Sequence, residues 1–468
     1  MDLATLSNLD TSWSAGIPIL ERAFSKRRER RAIDPDTPKA AYSKKGQNGK
    51  EYWLVFSDEF NTDGRTFKEG DDPFWTAADM HYKATKNLEY LNPGQVTTQG
   101  GYLTITLDKV ADPAKNHGFK YSGGMLTSWN QMCFTGGILE ASVSIPGAPE
   151  ISGLWPAFWT MGNLARPGYG ATTDGMWGYS YDTCDSGTLA KQAHKDTGVV
   201  PKMKNGKDLS SKLGQKLSAC TCPDEDHPGP SPNVGRGAPE LDVFEAEVNE
   251  THKIGQISQS FQISPHDPER QWKKTAPGYS IPSDKYKGFL NEWDGDDYIQ
   301  CISTLSQTDQ TCYELKNKTA FQTYGIDYQP SKGKDTNGHI CWTQGDTMTA
   351  HLEESALGPR PEIDIGQRLV PREPMYIIFN LVLSETFGNI SEQLTFPTQM
   401  RVDWVRLYQQ KDLLNTGCNP ADFPTAKYIE RHMAAYQNAT MDSWAQHEPR
   451  GFPQNRLRGG CADDTPPK

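Results

Sequence analysis

"ELDVFEAEVNE", residues Glu240 to Glu250, carries five carboxylates in eleven positions, interleaved with Leu241, Val243, Phe244, Ala246 and Val248. The apolar positions read as a half-buried β-strand. Carboxylates crowded onto one strand repel one another and resist burial, so the strand needs a reason to hold them. Strict alternation sets Glu240, Asp242 and Phe244 on one face and Glu245 on the other. One extra residue, a β-bulge at Val243–Phe244, returns Glu245 to the face of Glu240 and Asp242. The Cα atoms of Glu240 and Glu245 then stand about 13 Å apart, and side chains reaching toward each other bring the carboxyl groups to about 5 Å.

That spacing is the one a retaining glycosidase uses, whereas an inverting pair stands roughly 6.5–9.5 Å apart. Attack at an anomeric carbon needs one ionised carboxyl, and departure of the leaving oxygen needs one protonated carboxyl. Two neighbouring carboxyls split their titrations and so supply both forms. Taken alone the stretch also suits a solvated edge strand carrying protective charges, or calcium ligation. A chain with 59 acidic residues among 468 holds this acid spacing about once by chance, so the surrounding sequence has to decide.

Outward from it, short apolar runs recur between Gly, Asn, Asp and Pro. Examples are "EYWLVFSDEFN" (51–61), "GYLTITLDK" (101–109), "GGILEASVSIPG" (136–147), "LWPAFWTMG" (154–162), "PMYIIFNLVLS" (374–384) and "MRVDWVRLYQ" (400–409). Strands of this length, separated by turns, predict an all-β antiparallel sandwich. In the 136–147 run, Ile138, Glu140, Ser142 and Ser144 share a face polar enough to line a cleft. Residues 1–48 read as a polar N-terminal tail, with a charged run, "SKRRERR" (25–31), in a solvated role. Residues 49–410 hold the strand texture, interrupted by insertions at about 163–239 and 265–320. Residues 411–468 are a polar C-terminal extension.

The formal net charge of -11 disfavours nucleic acid and anionic membrane as partners. With 12 Trp and 19 Tyr the chain suits a sugar cleft, where a pyranose stacks on an indole. No run of 18 apolar residues is present, and "MDLATLSNLDTSW" lacks a basic stretch followed by an apolar one. Nine scattered Cys without metal-ligand spacing, and sequons at Asn249, Asn317, Asn389 and Asn438, point to disulfides in an oxidising compartment. Cys184, Cys220 and Cys222 would staple the first insertion, and Cys418 with Cys461 would tie down the C-terminal extension.

"ELDVFEA" resembles the E-x-D-x-x-E signature of glycoside hydrolase family sixteen, the laminarinases and their relatives. "FSDEFN" (56–61), "GGILEASVSIPG", "GLWPAFWTMG", "YGIDYQP" (324–330) and "MRVDWVRLYQ" resemble that family's strands in the same order, the second and third as paired strands. Longer stretches, "MGNLARPGYGATTDGMW" (161–177), "LSACTCPDEDHPGP" (217–230) and "GRGAPELDVFEA" (235–246), resemble its fungal β-1,6-glucan synthesis-associated subgroup. The resemblance implies a jelly-roll sandwich of two antiparallel sheets. It also implies a retaining β-glucanase or transglycosylase acting on β-1,3- or β-1,6-glucan in wall biogenesis. Glu240 would be the nucleophile, Glu245 the general acid/base and Asp242 the helper between them. Trp155 and Trp159 would stack on sugar, Glu140 would line the cleft, and Trp177 and Tyr179 would wall off one end. A glucan-binding scaffold without turnover is the alternative. No cofactor is implied, although some relatives hold a structural calcium on the outer face. The setting implied is the secretory pathway, cell surface or cell wall. Subgroup members typically carry one spanning helix, so membrane contact is expected only if such a segment lies outside this chain.

Overall fold

A strand with one apolar face must bury it, and here two antiparallel layers do so against each other. The computed structural model describes residues 31–270, 272–331 and 337–462; the charged run at 25–31, apart from Arg31, lies outside them. The first layer runs Phe289–Leu290, Cys301–Gln307, Ile254–Gln262, Glu240–Asn249, Leu154–Gly162 and Met375–Leu383, and then Tyr121–Thr127. The second runs Thr347–Glu353, His339–Gln344, Gln322–Gln329, Gly137–Ser144 and Thr398–Gln409, with Glu51–Asp58 and Tyr102–Lys109 both beside the last. The layers are joined where Asp108 and Lys109 pair with Ser122 and Tyr121. The chain thus forms the all-β antiparallel sandwich that its strand texture predicts, of the jelly-roll class that the resemblance implies.

Alternating residues of both layers meet in one core. Phe158 stacks on Phe379 at 4.5 Å between ring centroids, and Phe244 reaches across to Tyr324 of the second layer at 4.6 Å. Each such ring, fully buried, stabilises the fold by about 1.5–3 kcal/mol. The outer face of the first layer is left for the cleft.

Four expectations need correction. The Gly137–Ser144 and Leu154–Gly162 strands do not pair; they lie in different layers. Residues 31–48 are not a free tail: Ser43–Lys45 adds a strand to Glu51–Trp53, and Ser57 donates to the Ala32 carbonyl at 2.9 Å. The 265–320 region contains a full member of the first layer, Cys301–Gln307, where loop was expected. Cys418 pairs with Cys133 and Cys461 with Cys222, while Cys184 pairs with Cys220 inside the first insertion. Cys301, Cys312 and Cys341 are free and buried. The C-terminal extension carries short helices, Ala426–Arg431, Met433–Gln437 and Trp444–His447. It is clamped to the first insertion, where Trp444 donates its main-chain N–H to Asp174 at 3.0 Å. Among the described residues no helix is long and apolar enough to cross a membrane.

Candidate active site

The Glu240–Asn249 strand breaks its own alternation. Against Ile254–Gln262, Asp242 pairs with Ser260 and Glu245 with Ser258, so Val243 and Phe244 face the single residue Gln259. On the other side Trp159 pairs with Asp242 and Phe158 with Phe244, leaving Val243 without a counterpart. This is the β-bulge that the apolar doublet predicts. Val243 and Phe244 are both fully buried in the interlayer core, as are Leu241 and Ala246. Glu240, Asp242, Glu245 and Glu247 therefore all turn to the opposite face. A bulge leaves main-chain groups outside the ladder, and a buried carbonyl needs a donor. Gln259 donates to the Val243 carbonyl at 3.0 Å, and the Trp342 indole donates to the Asp242 carbonyl at 2.9 Å.

The four carboxylates line one cavity of about 880 Å³. Two indoles hold the outer pair: Trp177 donates to Glu240 Oε2 at 2.8 Å and Trp155 donates to Glu245 Oε1 at 2.9 Å. Asp242 between them is 1% exposed and accepts from Ser260 Oγ at 2.6 Å. Glu240 and Glu245 stay partly open to the cavity. Trp155 is itself fixed by a parallel stack on Phe387 at 4.2 Å. Trp159, also on the wall, donates to Asn380 Oδ1 at 2.7 Å.

Burial in this aromatic-walled cleft pushes Glu240 and Glu245 well above the ordinary carboxylate range, and the charge of Asp242 adds to both. At Glu240 the charge of Glu245 adds to that rise, and two groups oppose it, the Trp177 N–H and the Lys212 ammonium. At Glu245 one group opposes it, the Trp155 N–H, while the charge of Glu247 raises it further. Burial also pushes Asp242 up to about 6, against the Ser260 and Gln262 hydrogen bonds. The Lys212 ammonium thus favours the anion at Glu240, while the Glu247 charge disfavours it at Glu245. Lys212 is buried behind Trp177: its Nζ donates to Ser264 Oγ at 2.6 Å and to the Trp177 carbonyl at 3.1 Å. Burial lowers that amine to about 7.

The structure brings Glu240, Asp242, Glu245, Trp155, Trp159 and Trp177 to this cavity. Two of the sequence candidates lie elsewhere. Glu140 sits in the second layer, ion-paired with Lys44 of the N-terminal segment, because the polar face of its strand turns away from the cleft. Tyr179, 1% exposed, packs behind the wall against Tyr181 and Ile365. Sequence reasoning missed Lys212, Tyr82, Trp293, Tyr298, Phe387 and Asn380. Of these, only Asn380 carried a readable signal, a lone amide in the apolar run "MYIIFNLVL" (375–383).

Comparison with known proteins places the chain. The profile of the family described as β-glucan synthesis-associated protein SKN1/KRE6/Sbg1 matches residues 15–461. The β-glucan synthesis-associated protein KRE6 of Saccharomyces cerevisiae is 43% identical over 433 residues, 92% of this chain and 56% of the relative. SKN1 of Candida albicans is 43% identical over 431 residues, 91% of this chain and 54% of the relative. The chain thus spans little more than half the length of these relatives. Among solved structures, an endo-β-1,3-glucanase from Pyrococcus furiosus superposes with a TM-score of 0.45 at 18% identity, covering 79% of this chain and 98% of that one.

Proposed function

The chain belongs to the SKN1/KRE6/Sbg1 family of β-glucan synthesis-associated proteins, and from that premise we propose that its cleft cleaves β-glucan with retention of configuration. The single observation that carries the reading is the bulge, because it turns Glu240 and Glu245 into one cavity with Asp242 between them. A lectin has no need of such paired acids.

In the first step the Glu240 carboxylate attacks the anomeric carbon. The glycosidic C–O bond breaks, and Glu245 gives its proton to the leaving oxygen. In the second, Glu245 takes a proton from the attacking hydroxyl, the new C–O bond forms, and Glu240 is released. Water in that role gives hydrolysis, and a sugar hydroxyl gives transfer. Asp242 orients the pair and keeps one of them protonated. The Trp177 N–H and the Lys212 ammonium support Glu240 as the ionised partner. Three disulfides, with exposed sequon residues Asn317 and Asn389, support a chain folded in the secretory pathway or at the cell surface.

The test is incubation with β-1,3- and β-1,6-gluco-oligosaccharides, with products read by mass. Shorter products alone mean hydrolysis, and shorter together with longer ones mean transfer. Glu240→Gln is expected to keep binding and lose turnover. Undiminished turnover in that variant, or binding by the parent without any product, overturns the enzyme reading; the second result leaves a glucan-holding scaffold.

A further inference from the structure

Exposed aromatic rings, scattered singly, are ordinary. Two on one braced hairpin beside a cleft are not. Trp293 is 53% exposed and Tyr298 46% exposed, and both line the cavity that holds the carboxylates. They sit on the segment that leads into the Cys301–Gln307 strand, and that segment is held from both ends. Asp296 accepts from the main-chain N–H of Tyr298 at 2.7 Å and of Ile299 at 2.9 Å, closing a tight turn. Gly295 in that turn has φ +113°, and an added Cβ would collide with the Ile299 carbonyl, so glycine is required there. Asn291 accepts from the Trp293 N–H at 3.1 Å. From the neighbouring segments, Arg270 donates to the Asp296 carbonyl and Ser211 donates its main-chain N–H to the Asp297 carbonyl at 2.7 Å.

The rings continue a surface that begins at the carboxylates. Tyr298 stacks on Trp177 with centroids 5.7 Å apart and planes 21° from parallel. The indole N–H of Trp177 is the group that holds Glu240. An aromatic path thus leads from the reacting end of the cleft to its mouth. Asn291 and Asp296 line the same wall and offer polar groups to the edge of a ring stacked there. Among the described residues the cavity lining sets Lys83, ion-paired with Asp442 at 3.2 Å, against an excess of carboxylates that repel an acidic polymer.

We infer that Trp293 and Tyr298 form an outer binding subsite for a neutral β-linked glucan chain, continuous with the carboxylate cleft. This deepens the proposed β-glucan reading and rests on it. The rings stack on the apolar faces of sugar units beyond those that meet Glu240 and Glu245, on a hairpin whose shape is set before the ligand arrives. Affinity therefore grows with chain length.

The experiment is calorimetric binding to the Glu240→Gln chain of β-1,3- and β-1,6-linked oligosaccharides, from disaccharide to octasaccharide. The octasaccharide of the preferred linkage is expected to bind more tightly than the disaccharide. Adding Trp293→Ala is expected to weaken the octasaccharide roughly five- to tenfold while the disaccharide keeps its affinity, as for loss of a Trp anchor. Tyr298→Ala is expected to act in the same direction, and Trp293→Phe to retain most of the length dependence. Equal octasaccharide affinity with and without Trp293→Ala overturns the subsite and leaves the β-glucan reading standing. Equal weakening of disaccharide and octasaccharide also overturns it, since the ring then shapes the central cleft. Absence of binding by the parent at every length overturns the β-glucan reading and the subsite together.

Discussion

The indole nitrogen of Trp342 donates to the main-chain carbonyl of Asp242 at 2.9 Å, across the interior from the second layer to the first. Trp342 is 1% exposed and stands at a register shift in its own strand pairing. One layer's irregularity thus supplies the donor that the other layer's bulge requires. Trp342→Phe keeps most of the ring and leaves that carbonyl unpartnered, a cost of roughly 1–3 kcal/mol. Urea denaturation is expected to show that loss. If the bulge aims the acids, kcat falls at least roughly tenfold with oligosaccharide affinity nearly kept. A variant that is destabilised yet turns over at the parental rate would refute the link.

The two carboxyl–indole pairs act on different limbs of the pH profile. An N–H donated to a carboxylate favours its ionised form, so removing it raises that group. If Glu240 acts ionised and Glu245 protonated, as proposed, the activity profile is expected to be bell-shaped. Trp177→Phe is expected to move the acidic limb of kcat/KM to higher pH, and Trp155→Phe the alkaline limb. Asp242→Asn removes a charge that raises both, and is expected to move both limbs down. Profiles in which Trp177→Phe moves only the alkaline limb would reverse the assigned roles.

Lys212 makes folding pH-dependent. Its amine is lowered to about 7 in the folded chain by burial, from 10.5. Between those values the unfolded chain binds more protons, so stability rises with pH through that window and the penalty is complete below it. Lys212→Met is expected to exceed the parent in stability at pH 6 by on the order of a few kcal/mol, and the margin is expected to shrink toward pH 10. The same variant removes a charge that favours ionised Glu240, so its kcat is expected to fall several-fold. Denaturation curves at the two pH values decide the first point; a margin that does not vary with pH would contradict it.

Cys222 and Cys461 join the first insertion to the C-terminal extension across 239 residues. Their replacement by serine is expected to cost about 2–5 kcal/mol. Since Asp442 of that extension lines the cavity, KM for long oligosaccharides is expected to rise more than for short ones. Thermal unfolding and kinetics on both lengths provide the measurement. An unchanged unfolding midpoint would show that the extension holds without its staple.

The central element was legible because a break in parity is written into it: two adjacent apolar residues between acids leave no other way to bury both. Other features were not written locally. Alternation told which side chains share a face with Glu140, but not which layer its strand joins or what covers that face. Trp177 and Tyr179 stand two apart in an irregular segment without a period, so nothing separated the one on the cleft wall from the one behind it. The Tyr121–Thr127 strand carries Gly123 and Gly124, and glycine weakens a strand pattern. They are there because a Cβ on Gly123 would come within 2.8 Å of the Leu381 carbonyl, and one on Gly124 within 2.7 Å of Val96. Lys212, Trp293 and Tyr298 came into place through contacts distant in sequence, and the same holds for the cysteine pairings.

The position of Asp442 sets an order of events during synthesis. Glu240 and Glu245 are made near the middle of the chain, yet one wall of their cavity comes from a segment about two hundred residues later, stapled through Cys461. A nascent chain arrested after Glu245 but before that segment holds both acids in an unfinished groove. The cleft is therefore completed only after every strand of the sandwich has already emerged.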